Sequence, residues 1–235
     1  MRQGLQSEAS STIRILTLNA KNHGKLKKGI LGPISGKLGS IVGASWMGIP
    51  YLRRAPKVTT EPRPRSVAQL ANQQKMKFVN QLLVPFHPYI NIGFANLAIQ
   101  KTALNVAYSI NFHQAITGLH PNLGVDYSKM VISRGDLPGL KDPVLSLTAN
   151  DTIAINWAQN TNSRASFDDQ VMLVLYCPAL HLADGFIGGV KRTDKQCYYK
   201  FLPELIGKTL EVYLSVTSSN RKKIADSLYL GRIVP

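Results

Sequence analysis

From Asp126 onward the chain alternates apolar and polar residues with a period of two, which limits its C-terminal part to β-structure. Thr152–Trp157 alternates cleanly, with Ile153, Ile155 and Trp157 on one side and Thr152, Ala154 and Asn156 on the other. Thr209–Thr217 sets Leu210, Val212, Leu214 and Val216 against Thr209, Glu211, Tyr213 and Ser215, the latter set expected outward. Further strands are predicted at Tyr127–Ser133, Val144–Thr148, Val171–Cys177, Gln196–Phe201 and Leu228–Val234. Val171–Cys177 is apolar nearly throughout, as a central strand is. Turn-rich segments at 136–139, 159–169, 184–189 and 218–223 separate them. Seven short strands at this spacing predict a β-sandwich over 126–235.

Upstream, Lys25–Lys57 carries six glycines, seven cations and no carboxylate. Glycines at this density oppose a helix, since each costs about 1 kcal/mol relative to alanine there. Interleaved Leu38, Ile41, Val42, Trp46, Ile49 and Tyr51 favour strands. The expected form is a bent hairpin of Leu38–Ser45 and Trp46–Arg54, with Pro50 at an edge or bulge because it cannot donate to a ladder. Ser35-Gly36-Lys37 invites comparison with a phosphate loop. Gly32 to Gly36 is one residue short of that pattern, and Leu38 stands where Ser or Thr would hold magnesium.

Between these regions, Val58–Arg65 is an extended connector, because each proline pushes the preceding residue out of the helical region. Ser66 is a predicted N-cap for a helix over Val67–Val84, ended by Pro85. Phe86–Ala95 is apolar and is expected to form a short helical turn or two. Thr102 caps a helix over Ala103–Ile116, with Leu104, Ala107, Tyr108 and Ile110 inward and Gly118 as its stop. The expected organisation is a flexible leader over 1–24, a basic glycine-rich and helical region over 25–125, and the sandwich over 126–235. The fold class is mainly β with a small helical segment.

The formal net charge is +15 on 235 residues, unevenly spread. Residues 1–65 hold +10, residues 66–125 add +3, and the remainder carries +2. Clustered positive charge suits a polyanion, and it also serves solubility. No apolar run approaches a membrane span, and Ile13–Leu18 is too short and too polar for a signal peptide, so the default expectation is cytoplasmic, or export by a route the sequence does not show. Cys177 and Cys197 form no CxxC pair and are expected as buried free thiols.

No enzyme is expected, and no cofactor or metal. Cys177 and His181 stand four apart without a further ligand pair, where zinc wants three or four protein ligands. His113 is read as a helix boundary residue. Asp168-Asp169 lies in a turn-like loop. Arg134-Gly135-Asp136 spells an adhesion tripeptide, and Asn150-Asp151-Thr152 a glycosylation acceptor without a secretory signal. The candidate polyanion or nucleic-acid surface is Lys25, Lys27, Lys28, Lys37, Arg53, Arg54, Lys57, Arg63 and Arg65, with Trp46 and Tyr51 as an aromatic platform. The competing reading makes Trp46 and Tyr51 core residues under snorkelling cations.

The tail resembles a fibronectin type III domain, on Trp157 near the end of an early strand and on LPELIGKTLEVYLSV as the approach to the sixth. The chain from about Lys25 to its end resembles the uncharacterised domain of unknown function 6266 family of Bacteroidota. The matching stretches, in order, are GILGPISGKLGSIVGASWMGIPYLRRAPK, AQLANQQKMKFV, DYSKMVISRGDLPG and DSLYLGRI. Met47 and Gln74 stand where that pattern is expected to carry a basic residue. The resemblance implies ancestry and brings no activity. The sequence therefore points to a non-enzymatic interaction or assembly protein, with a protein partner or itself, and alternatively to a sequence-nonspecific DNA- or RNA-binding protein.

Overall fold

The structure is a computed structural model that describes residues 25–26, 32–57, 64–160 and 162–235. The expected leader, Lys27, Lys28 and Arg63 lie outside the described residues. The chain divides into two compact units, Met1–Pro64 and Arg65–Pro235.

The first unit is an antiparallel sheet with its strands in sequence order: β1 (Lys25–Leu26), β2 (Ile34–Leu38), β3 (Ile41–Trp46) and β4 (Ile49–Arg54). The expected single hairpin is thus a meander. The last turn falls at Met47-Gly48, two residues later than expected, because both residues adopt positive φ (48° and 83°). That is the mirror-image turn whose twist matches antiparallel strands. Ser35-Gly36-Lys37 lies within β2, so it is extended strand and forms no phosphate loop. A Cβ at Gly43 would sit 2.1 Å from the carbonyl oxygen of Ile34, so glycine permits one backbone to lie on another. Pro50 lies in the edge strand β4, where a missing donor is tolerated.

The second unit begins with helices. Ser66 caps α1 (Val67–Leu83) in a capping box: its Oγ accepts from the Gln69 N–H (3.2 Å), and Gln69 Oε1 accepts from the Ser66 N–H (3.0 Å). Pro85 opens a 3-10 turn, Val84–Phe86, that runs into α2 (His87–Gly93). Thr102 caps α3 (Ala103–Gln114) through the Asn105 N–H. Gly118 does not stop this helix. The chain has already entered a hairpin, β5 (Ile116–Leu119) and β6 (Asn122–Val125), in which Gly118 has φ +78°.

The sandwich follows: β7 (Lys141–Ala149), β8 (Thr152–Ala158), β9 (Gln170–Cys177), β10 (Leu182–Lys191), β11 (Gln196–Lys200), β12 (Leu210–Thr217) and β13 (Leu228–Ile233). Its sheets are three-stranded, β11-β8-β7, and four-stranded, β10-β9-β12-β13. The strand expected at Tyr127–Ser133 is instead a 3-10 turn, Tyr127–Lys129, followed by irregular chain. Here the buried Asn111 takes a neighbouring strand's place: its Oδ1 accepts from Val131 N–H (2.9 Å) and its Nδ2 donates to Val131 C=O (2.8 Å). Residues 184–189, expected as a turn, form the middle of β10. Gly185 marks a close backbone approach, since a Cβ there would lie 2.1 Å from Leu173 C=O, whereas Gly188 and Gly189 lie at positive φ where the β10 register shifts.

Between the sheets pack Ile153, Ile155, Trp157, Leu173, Leu175 and Leu210. On the other side of the larger sheet Met172, Val174, Tyr176 and Tyr213 share a core with Phe86, Ile90 and Phe94 of the helical layer. All of β12 is buried in consequence, including Glu211, Tyr213 and Ser215, which were expected outward. The unit is a three-layer stack, and the division expected at residue 126 runs through its second core. A fragment 65–235 should unfold cooperatively in urea, and Phe86→Ala should lower its stability by about 3–5 kcal/mol. A loss below about 1 kcal/mol, outside the range for an emptied aromatic site, would show that the helices do not share the sheet's core. A fragment starting at 126 should show reduced cooperativity and dye-binding apolar surface.

Candidate functional site

The candidate site lies on the meander. Directly paired residues of an antiparallel ladder share a face, and successive residues alternate. Lys37 pairs with Val42 and Val42 with Arg53; Ala44 pairs with Tyr51 and Trp46 with Ile49. Lys37, Arg53, Tyr51 and Trp46 therefore share one face. Arg54 pairs with Ile41, and Ile41 with Leu38, so Arg54 belongs to the opposite face together with Leu52. The sequence expectation of one surface for Arg53 and Arg54 is corrected by this alternation. Lys57 follows the sheet and is exposed.

Trp46 and Tyr51 are 54% and 44% exposed, so neither is a core residue; Trp157 by contrast is 5% exposed. A groove of about 340 Å³ lies between Gly32–Ile34, at the start of β2, and Pro50–Leu52 of β4. Lys25 lies in β1, with its side chain outside the described residues. Arg65 belongs to the second unit, where its guanidinium donates to Gln73 Oε1 (2.8 Å). Among the described residues, none of Lys37, Arg53, Arg54 and Lys57 makes an ion pair.

The family model described as "Family of unknown function (DUF6266)" matches residues 33–231, most of the chain. The chain belongs to this family. The match takes in β2 to β4 of the meander as well as the helix-backed sandwich. The chain is also similar to the fn3 domain of human collagen alpha-1(XX) chain, at 11% identity and a TM-score of 0.32, covering 42% of this chain and 84% of that one. For the fn3 domain of human contactin 1 the values are 10%, 0.30, 43% and 83%. The fibronectin type III-like character of the DUF6266 sandwich rests on its own strand order, three strands against four. No curated protein matches the chain.

The remaining sequence candidates are structural. Cys177 faces the core between the sheets, whereas the neighbouring Tyr176 faces the helical layer and contacts His181 Nδ1 through its hydroxyl (3.3 Å). The pair Cys177 and His181 thus serves opposite sides of β9. Among the described residues no group of three or more His, Cys, Asp and Glu is placed to hold a metal. His113 is exposed on α3 with its ring edge-on to Phe112. Gly135 of the adhesion-like tripeptide is fixed by Asp226, which accepts its N–H (2.9 Å), and a Cβ there would meet Ile224 C=O at 2.3 Å. Asp151, in the β7–β8 turn, pairs with Lys200 and donates nothing to a site; hydrogen bonds from Lys200 and Thr152 hold its carboxyl below the usual range. Both cysteines are free and buried, and burial pushes the Cys197 thiol up, with Asp194 adding to it.

Sequence reasoning missed the buried ion pair of Asp169 and Arg192. Arg192 Nε and one terminal nitrogen reach Asp169 Oδ2 at 3.1 and 3.0 Å, while its other contacts go to Gly139 C=O (2.7 Å) and Pro138 C=O (2.6 Å). The Trp157 indole donates to Arg192 C=O at 2.8 Å, tying the core tryptophan to the same knot. The partners are 23 residues apart, and nothing local in the sequence joins them. A second missed pair is fully buried Glu211 with Arg232, at 2.8 Å. Glu211 also accepts from the Tyr229 hydroxyl, whose pKa rises to about 12 through burial and this bond.

Asp169→Ala leaves Arg192 buried without its counter-charge and should cost about 3–5 kcal/mol in urea unfolding. A cost below about 1 kcal/mol, the value of an exposed pair, would show that solvent reaches the knot. Ellman's reagent should leave both thiols of the native protein unlabelled and titrate both once it is unfolded.

Proposed function

We propose that this DUF6266 protein is a non-enzymatic interaction or assembly protein, in which the helix-backed sandwich is the rigid body and the meander is the docking element. One observation carries the reading: among the described residues 32–57, Gly43 alone is buried. Sheets are stabilised by covering a face, and this one leaves large apolar side chains open on both. The polar groups that the second unit brings together point the same way. Asp169 with Arg192, Glu211 with Tyr229 and Arg232, and Ser133 with Ser215 satisfy one another, so that where Arg192, Asp169 and Tyr229 border surface hollows they do so already paired. A photocrosslinking residue at position 46 or 51 should give discrete adducts in the cells that make the protein, and one at exposed Tyr198 of the sandwich should not. Equal, diffuse labelling from all three sites would defeat the docking reading.

A second reading, sequence-nonspecific nucleic-acid binding, draws on Lys37 and Arg53 sharing a face with Trp46 and Tyr51, the combination that tracks a single strand. In anisotropy titrations at several salt concentrations, Arg53→Gln should then lower the slope of log affinity against log salt by about 0.7, and Arg54→Gln should not. Absence of binding at low salt ends this reading.

A further inference from the structure

We infer that the surface that covers the meander is an acidic protein surface, apolar at its centre and carboxylate-rich at its rim, which contacts both faces of the sheet. The inference rests on the docking reading and names the partner's chemistry. One face exposes Trp46, Ile49 and Tyr51, and the other exposes Leu38, Ile41 and Leu52. Leu52 is the most open of these, at 59%. Each face also carries a cation, Arg53 with Lys37 on the first and Arg54 on the second. Residues 25–57 contain no carboxylate to balance them. The complementary cover therefore supplies apolar area and negative charge together.

A second copy of the chain is a poor source of that charge. Its net charge is +15. The second unit holds 11 carboxylates, of which Asp126, Asp151, Asp169 and Glu211 are already held by Lys129, Lys200, Arg192 and Arg232. A nucleic acid fits less well than a protein for a different reason. Stacking on bases uses aromatic rings, and the face of Leu38, Ile41 and Leu52 offers none. Aliphatic side chains on both faces gain only from burial against other apolar groups.

The two tryptophans give the test a clean reporter, because Trp157 is buried and Trp46 is open, so acrylamide quenching reads Trp46. The full chain is titrated with four probes: a peptide alternating glutamate and leucine, its lysine–leucine counterpart, polyglutamate, and oligo-dT. The glutamate–leucine peptide should shield Trp46 and bind at least about tenfold more tightly than the other three, a factor that modest apolar burial beside favourable charge supplies. Ile41→Ser and Leu52→Ser, on the face away from Trp46, should weaken it by about tenfold as well. Arg53→Glu should weaken the glutamate–leucine peptide and strengthen the lysine–leucine one, an exchange that unfolding of the sheet would not produce. Equal affinity for polyglutamate, or for the lysine–leucine peptide, overturns the inference. Tighter binding of oligo-dT with no effect of Ile41→Ser overturns it in favour of a nucleic acid. Trp46 shielded before any probe is added, with a dimer in sedimentation, overturns it in favour of a second copy. In these last two cases the meander remains a docking element and only the partner's class is wrong. If no probe shields Trp46 the acidic-protein inference falls, and the crosslinking pattern decides the docking reading separately.

Discussion

The second unit depends on one constraint: the two central strands of its larger sheet, β9 and β12, are buried on both faces. Every residue of β12 is buried, and so is every residue of β9 after Gln170. A sheet in that position must place apolar or mutually satisfied side chains at every position, not at every second one. This is why Glu211 arrives with Tyr229 and Arg232, and why Ser133 and Ser215 bond each other and Ala225 C=O. It is also why the helices cannot be separated from the sandwich: Phe86 and Ile90 fill the side of the sheet that a two-layer sandwich would leave to water. The Asp169–Arg192 knot then closes one end, joining the start of β9, the β10–β11 turn and the segment before β7 through a single guanidinium.

The meander obeys the opposite rule. Among its described residues 32–57 only Gly43 is buried, and its register sorts its charges as well as its apolar groups. Lys37 and Arg53 flank Val42 in one cross-strand row, and Arg54 turns away. A reading of this segment as a simple basic patch overlooks that each cation stands beside exposed aliphatic or aromatic area. Charge gives such a surface reach and orientation, while the apolar area supplies most of the affinity.

Much of the fold was legible where local chemistry decides. Ser66 and Thr102 announce their helices by capping, and the alternation of Thr152–Trp157 places Ile153, Ile155 and Trp157 in the core. Reading failed where a tertiary partner replaces the local rule. Asn111 supplies from a helix the hydrogen bonds that a strand at 127–133 would have needed. The glycines of β10 resemble a turn in sequence, yet Gly185 is there because Leu173 lies against it. Period-two alternation in β12 suggested an open face because sequence does not show what a helical layer will cover. For the candidate site, the residue types were legible, but the sides they occupy follow from ladder register, which begins with the turn at Met47-Gly48.

The absence of a side chain at Gly43 has a mechanical consequence. With the Ile34 carbonyl 2.1 Å from where a Cβ would be, the start of β2 closes over β3 backbone to backbone, with no side chain between them. Among the described residues 32–57 only this glycine is buried, so backbone contact stands in for a side-chain core. Any side chain at position 43 would have to displace the Ile34 peptide, so this small unit keeps its shape only while that position stays bare.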